Sequence, residues 1–209
     1  MMATLDRLKL KIAEAMFLQR FPGGFDDPEM QVIAKRHRMD KMITFAQESF
    51  SLSALEDIDK SADNMVKIVS RSSMVSMFEK PKFRDFVGCL SAADREFLVQ
   101  SLGQLLHGDQ QSGFEALVDI MLTEKLAKWS LVSIIPTYFA PNSEVFVKPT
   151  TAKNVIAHFE VPDLLYRPLP SWHFYTAYRE LINQSKKLVD PGLSPTNAAF
   201  SGFLMMAMG

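Results

Sequence analysis

WSLVSIIPTYFAPNSEVFVKPTT, residues 129–151, is the stretch whose reading decides between a helical and a mixed fold. Residues 129–139 are apolar on nearly every side, which suits a helix buried on most of its faces even with Pro136 inside it. The next piece, Glu144-Val145-Phe146-Val147-Lys148, is the chain's one clear extended run. Pro149 fixes its end, because its ring pushes the preceding residue away from helical geometry. The expected class is therefore all-α, a compact multi-helix domain with at most one short extended segment near 144–148.

Outward from this stretch the periodicity stays helical. Leu5, Leu8, Ile12, Met16 and Phe17 recur at three- and four-residue spacing and predict one apolar helical face ending near Pro22-Gly23-Gly24. Asp27-Pro28 reads as an N-cap with proline in the first turn, opening a long helix through Met30, Ile33, Met42, Phe45 and Ala46. Its run Lys35-Arg36-His37-Arg38 suits either phosphate contact or a plain solvated face. Ser53 and Glu56 have the spacing of a capping box. Pro81 and Ser91 open two more helices, the second stopped by Gly108, and Asp109 to Gly113 reads as a polar loop. Another helix runs from Phe114 toward Trp129. Thr150 or Thr151 is placed to cap a short helix ending near Phe159, Ser171 caps the next, and Ser194-Pro195 starts the last, which carries FLMMAM. No internal repeat or composition shift divides the chain, so residues 1–209 are expected to form one helical domain. A division into subdomains 1–110 and 111–209 is the alternative.

Composition narrows the functional classes. Hydrophobic residues make up 47% and charged residues 22%, which is ordinary for a globular chain. No apolar run is long enough to span a bilayer, and charges interrupt the apolar positions of MMATLDRLKLKIAE, so no membrane association and a cytoplasmic location are expected. A single cysteine, Cys89, excludes an internal disulfide and a cysteine zinc cluster. The four histidines, His37, His107, His158 and His173, never fall at the i, i+4 spacing of helical metal sites, and no metal or cofactor is expected. No GxxxxGK, GxGxxG or GxSxG is present, which removes the common nucleotide and acyl-transfer signatures.

The formal net charge of −1 argues against coating nucleic acid indiscriminately. Between Lys125 and Lys187, however, Lys125, Lys128, Lys148, Lys153, Arg167, Arg179, Lys186 and Lys187 outnumber Glu144, Glu160, Asp163 and Glu180. Both tryptophans and all four tyrosines fall in this same segment. Lys148 and Asp163 are the candidate catalytic residues, as a cation and a carboxylate. Trp129, Tyr138, Tyr166, Trp172 and Tyr175 are candidate stacking surfaces, and Lys153, Arg167 and Arg179 candidate phosphate partners. Such a set suits an extruded base held between rings, yet the same aromatics at helical spacing equally suit a packed core, and Asp163 after Pro162 equally suits a turn.

The blocks FPGGFDDPEM, KWSLVSIIPTYFAP, EVFVKPTTAKNV, LLYRPLPSWHFYTAYREL and SPTNAAFSGFLMM together resemble an uncharacterised family of bacterial helical proteins. That resemblance implies one unified domain and carries no activity. The order of buried helix, short linker with a cation, helix and aromatic segment more weakly resembles small helical base-excision enzymes, DNA glycosylases of phage defence, although the glycine hairpin L-P-G-[VI]-G of such enzymes has no counterpart here. It implies a metal-independent hydrolase of the N-glycosidic bond acting on double-stranded DNA. The alternative is a non-catalytic protein-interaction module, an adaptor or regulatory subunit, with Met205, Met206 and Met208 on its binding face.

Overall fold

The computed structural model describes residues 4–208, and among them no strand forms. Eleven α-helices follow one another: α1 (Arg7–Arg20), α2 (Pro28–Lys35), α3 (Met39–Ser49), α4 (Ile58–Arg71), α5 (Glu79–Cys89), α6 (Ala92–His107), α7 (Gln110–Leu122), α8 (Trp129–Phe139), α9 (Pro149–His158), α10 (Trp172–Ser185) and α11 (Asn197–Ala207). The all-α class follows directly from this list. One continuous hydrophobic cluster runs from Leu5 to Leu204 and joins all eleven helices.

Helix α8 is the axis of the packing. Every residue from Trp129 to Tyr138 is buried, because α3, α4, α6 and α7 all pack against it. Fully burying Leu131, Ile134 and Ile135 contributes about 1.5–3 kcal/mol each, before the cost of ordering the chain. Its buried hydroxyls are all satisfied: Ser133 donates to the Trp129 carbonyl at 2.6 Å and Thr137 to the Ser133 carbonyl at 2.7 Å. Residues 144–148 are extended without pairing as a strand. The Val147 N–H instead donates to Ser133 Oγ at 3.0 Å, so the extended piece is pinned to the central helix.

Several local expectations are corrected. The face of α1 that turns inward holds Leu10, Ala13 and Phe17, whereas Leu8, Ile12 and Met16 point to solvent. Both sets have helical spacing, and the docking of Phe17 edge-on to Phe203 of α11 selects one. The long second helix is broken: Arg36 to Arg38 form a turn, with Arg38 in left-handed backbone at φ 48°, and α3 begins afresh. The side chain of Ser53 caps nothing, since Asp57 lies nearer the true start and its carboxylate accepts from Lys60 N–H. Asp109 is the cap of α7 and Gln110 to Gly113 its first turn. Thr150 and Thr151 lie inside α9, which Pro149 opens as its first residue. Thr196, and not Ser194, caps α11.

Two glycines explain short motifs. Gly24 of FPGGF is buried at φ 60°, and a Cβ there would stand 2.8 Å from the Gly192 carbonyl oxygen, so this motif ties the end of α1 to the segment before α11. Gly113 lets α7 approach α6 so closely that a Cβ would lie 2.2 Å from the Leu105 nitrogen.

Candidate functional site

The segment from Trp129 to Arg179 divides into a buried interior and a cationic edge. In the interior, Trp129 and Tyr175 flank Phe114, with ring centroids 6.3 and 5.1 Å away, and Trp129 also packs on Phe174 at 5.1 Å. Trp129 Nε1–H donates to the Arg167 carbonyl at 2.8 Å. Tyr138 shares a 2.9 Å hydrogen bond with Ser72 Oγ. Burial raises the phenol pKa of both Tyr138 and Tyr178 above its usual range. These rings are packing residues, and Trp129, Tyr138 and Tyr175 present no face to solvent.

At the margin of that interior sits the chain's one buried carboxylate among the described residues, Glu144. Its Oε2 accepts from the Tyr175 hydroxyl at 2.7 Å, and its Oε1 accepts from Arg179 Nη1 at 2.7 Å and Gln110 Nε2 at 3.3 Å. Arg179 also reaches Gln110 Oε1 at 3.1 Å, while its guanidinium lies 5.4 Å over Trp172 and 5.5 Å over Tyr175. The Tyr175 phenol is pushed well up, first by burial and then by the neighbouring Glu144 charge. Two further hydrogen bonds hold the same loop: Asn197 donates to the Glu144 carbonyl at 3.0 Å, and Asn183 donates to the Ser143 carbonyl at 2.8 Å. Lys186 donates to Asn197 Oδ1 at 2.7 Å and to the Asn142 carbonyl. Burial, then Lys187, lowers the Lys186 pKa.

Sequence reasoning did not assemble this network. Gln110 and Arg179 are 69 residues apart, so no local spacing connects them. The available signal was Glu144 itself, a carboxylate opening an otherwise apolar extended run.

The cationic edge is different in kind. Lys148, Lys153 and Arg167 are exposed, and none of them forms an ion pair among the described residues. Lys148 precedes α9 in extended backbone, φ −92° and ψ 121°, and Lys153 follows about 7.5 Å along the helix axis. The Lys153 ammonium stands 5.6 Å over the half-buried Tyr166 ring, which rests edge-on against Phe174. Arg167 is the next residue, its carbonyl anchored by Trp129. Asp163 is exposed in the same connecting segment. The structure thus brings Lys153 and Tyr166 together with Arg167 as the next residue in the chain, leaves Lys148 exposed at the start of α9, and assigns Arg179, Trp172 and Tyr175 to the Glu144 network.

The larger hollows lie elsewhere. A groove of about 1080 Å³ runs between α5, the end of α7 and Lys128, floored by Phe86, Ile120 and Leu126, with Phe78 at its mouth. A second, of about 560 Å³, lies between α6, α7 and Leu52. Among the described residues no group of three His, Cys, Asp or Glu is placed to hold a metal ion, and no helix is long and apolar enough to cross a membrane. No family model, curated protein or solved structure matches this chain.

Proposed function

We propose that the protein binds double-stranded DNA along the edge formed by Lys148, Lys153, Tyr166 and Arg167. The observation that carries this reading is the exposed Lys153 ammonium held over the half-buried Tyr166 ring, which packs on Trp129 and Phe174, with two more exposed cations without an ion pair among the described residues nearby in the chain, Arg167 next to Tyr166 and Lys148 at the start of α9. Lysine and arginine displace counterions from phosphates, and a partly exposed ring stacks on a base or sugar. Lys153, set over Tyr166, loses less side-chain entropy on binding than a cation with no partner. Any base excision at this edge falls to Asp163 as the carboxylate that orients water and to Lys148 as a cation.

The test is fluorescence anisotropy with a 20-base-pair duplex, comparing the wild type with the Lys148→Gln/Lys153→Gln/Arg167→Gln variant. The variant is expected to bind at least tenfold more weakly at low salt. Equal binding by the two removes this edge from the account. Incubation with plain and cytosine-modified duplexes, followed by alkaline cleavage, reads excision separately, and Asp163→Asn abolishes any cleavage that depends on this carboxylate.

A second reading, a protein-interaction module, draws on the adjacent Met77 and Phe78, which are 75% and 76% exposed beside the 1080 Å³ groove. Peptides selected from a displayed library would bind the wild type and lose affinity for Phe78→Asp; selected peptides indifferent to that substitution would count against the groove. The methionines of α11 support it less, since only Met205 is exposed and its sulfur accepts from the Thr151 hydroxyl at 3.9 Å.

A further inference from the structure

We infer that the turn between α2 and α3, Lys35-Arg36-His37-Arg38 with Lys41, is a second phosphate-contact surface for the same duplex. The choice of ligand rests on the reading above, while the residues are entirely separate. Lys35, Arg36, His37, Arg38 and Lys41 are all exposed. No ion pair among the described residues engages Lys35, Arg36, Arg38, Lys41 or Arg71. They flank the break of the helix, where the turn, with Arg38 held at φ 48°, changes chain direction within three residues.

Contacts to α4 enlarge the cluster and fix its position. His37 Nδ1 lies 2.8 Å from Ser73 Oγ, just beyond the end of α4. Arg71, in the last turn of α4, places its guanidinium 5.2 Å over the Phe45 ring, and Phe45 shares with Lys41 a shallow hollow of about 330 Å³. Lys41 and Phe45 are one helical turn apart, so Arg71 joins the cationic group from the far side. Residues 35–48 hold two acids, Asp40 and Glu48, both of α3 and both lining that hollow. Five cations against two carboxylates leave a local excess of positive charge on a chain whose net charge is −1. Arginines supply forked donors that match phosphate oxygens, which distinguishes this patch from a general solubilising face.

A nucleic-acid backbone fits better than a lipid surface. From Arg36 through Lys41 the only apolar residue is Met39, which is half-buried, so the patch itself has no side chain to insert among acyl chains. Val32 and Ile33, exposed one turn earlier on α2, are the feature that favours lipid, and vesicles therefore belong in the test.

The experiment measures duplex affinity by anisotropy from 50 to 200 mM KCl for four proteins: wild type, Lys35→Gln/Arg36→Gln/Arg38→Gln/Lys41→Gln, the 148/153/167 triple variant, and Arg36→Gln alone. Circular dichroism and melting establish that each folds, and Arg36→Gln, a single change at an exposed side chain, guards against collective destabilisation. If the four side chains contact phosphates, the quadruple variant loses about 3.6 from the log–log salt slope, so the wild-type affinity falls roughly 150-fold more than the variant's over this range. Arg36→Gln loses about 1 from the slope. A quadruple variant that binds as the wild type does, while the triple variant fails, overturns this inference and leaves the proposed function standing. Loss confined to the quadruple variant supports the inference and refutes the edge at α9. Patch-dependent sedimentation with phosphatidylserine vesicles, with no duplex binding, overturns it in favour of a membrane surface. No binding to either probe refutes both.

Discussion

Replacing Glu144 by leucine tests whether its network holds the loop between α8 and α9 in place. The carboxylate is ion-paired to Arg179 with side-chain exposures of 9% and 19%, so both charges are mostly withdrawn from water. Removing one partner leaves the Arg179 guanidinium with Gln110 Oε1 as its remaining acceptor and the Tyr175 hydroxyl, fully buried, with none. An unsatisfied buried hydroxyl costs about 1–3 kcal/mol, and breaking a buried ion pair typically about 3–5 kcal/mol in all. Glu144→Leu is therefore expected to lose about 4 kcal/mol. Glu144→Gln keeps one acceptor, so with its amide oxygen on Tyr175 the NH2 faces the donors of Arg179 and Gln110; the loss is expected to be smaller than that of leucine, about 2 kcal/mol. The assay is urea unfolding followed by far-ultraviolet circular dichroism and by tryptophan fluorescence, whose coincidence supports two-state treatment. Adding Arg179→Met to Glu144→Leu should recover part of the loss, giving a coupling energy of at least about 1.5 kcal/mol. A Glu144→Leu protein within about 0.5 kcal/mol of wild type, the range of featureless surface changes, would refute the reasoning.

Gly113→Ala forces a methyl group into the α6 backbone, where a Cβ would lie 2.2 Å from the Leu105 nitrogen and 2.7 Å from the Ser101 carbonyl oxygen; a loss of about 3 kcal/mol in the same assay is expected, and a neutral result would show that α7 can slide away. All four phenols titrate above the usual tyrosine range, chiefly through burial. A folded pKa above the unfolded one contributes stability that is present below about pH 10 and is lost as pH rises beyond it. The buried Tyr138, Tyr175 and Tyr178 should therefore ionise only together with unfolding, as read by absorbance at 295 nm; more than one phenolate in the folded protein at pH 10 would contradict their burial. At the acid end, the Asp109 carboxyl is held below its ordinary 3.8, first by the Ser112 backbone N–H, so stability falls as pH drops below about 4 and Asp109→Asn removes that part of the dependence. An unchanged pH profile in Asp109→Asn would remove the carboxylate from the cap.

How far the sequence is legible depends on the range of the interaction that decides each feature. The caps at Asp27, Ser91 and Ser171 and the stop at Gly108 are local, and each falls where the sequence places it. The inward face of α1 is decided by α11 at the other end of the chain, so Leu8, Ile12 and Met16 are as periodic as Leu10, Ala13 and Phe17 and still face solvent. The break at Arg38 is hidden because Lys35 to Lys41 contains neither glycine nor proline, the usual marks of a turn. In the candidate region, residue type identified the aromatics and cations but not their partners. Arg179 and Arg167 are indistinguishable as residues, yet a buried carboxylate 35 positions from Arg179 occupies one of them and leaves the other exposed.

The most direct test of DNA binding at the α9 edge is the salt dependence of duplex affinity. With Lys148, Lys153 and Arg167 on phosphates, the wild-type log–log slope should be steeper than that of the triple glutamine variant by about 2.7. Identical slopes in the two proteins, or no duplex binding at 50 mM KCl, would contradict the account.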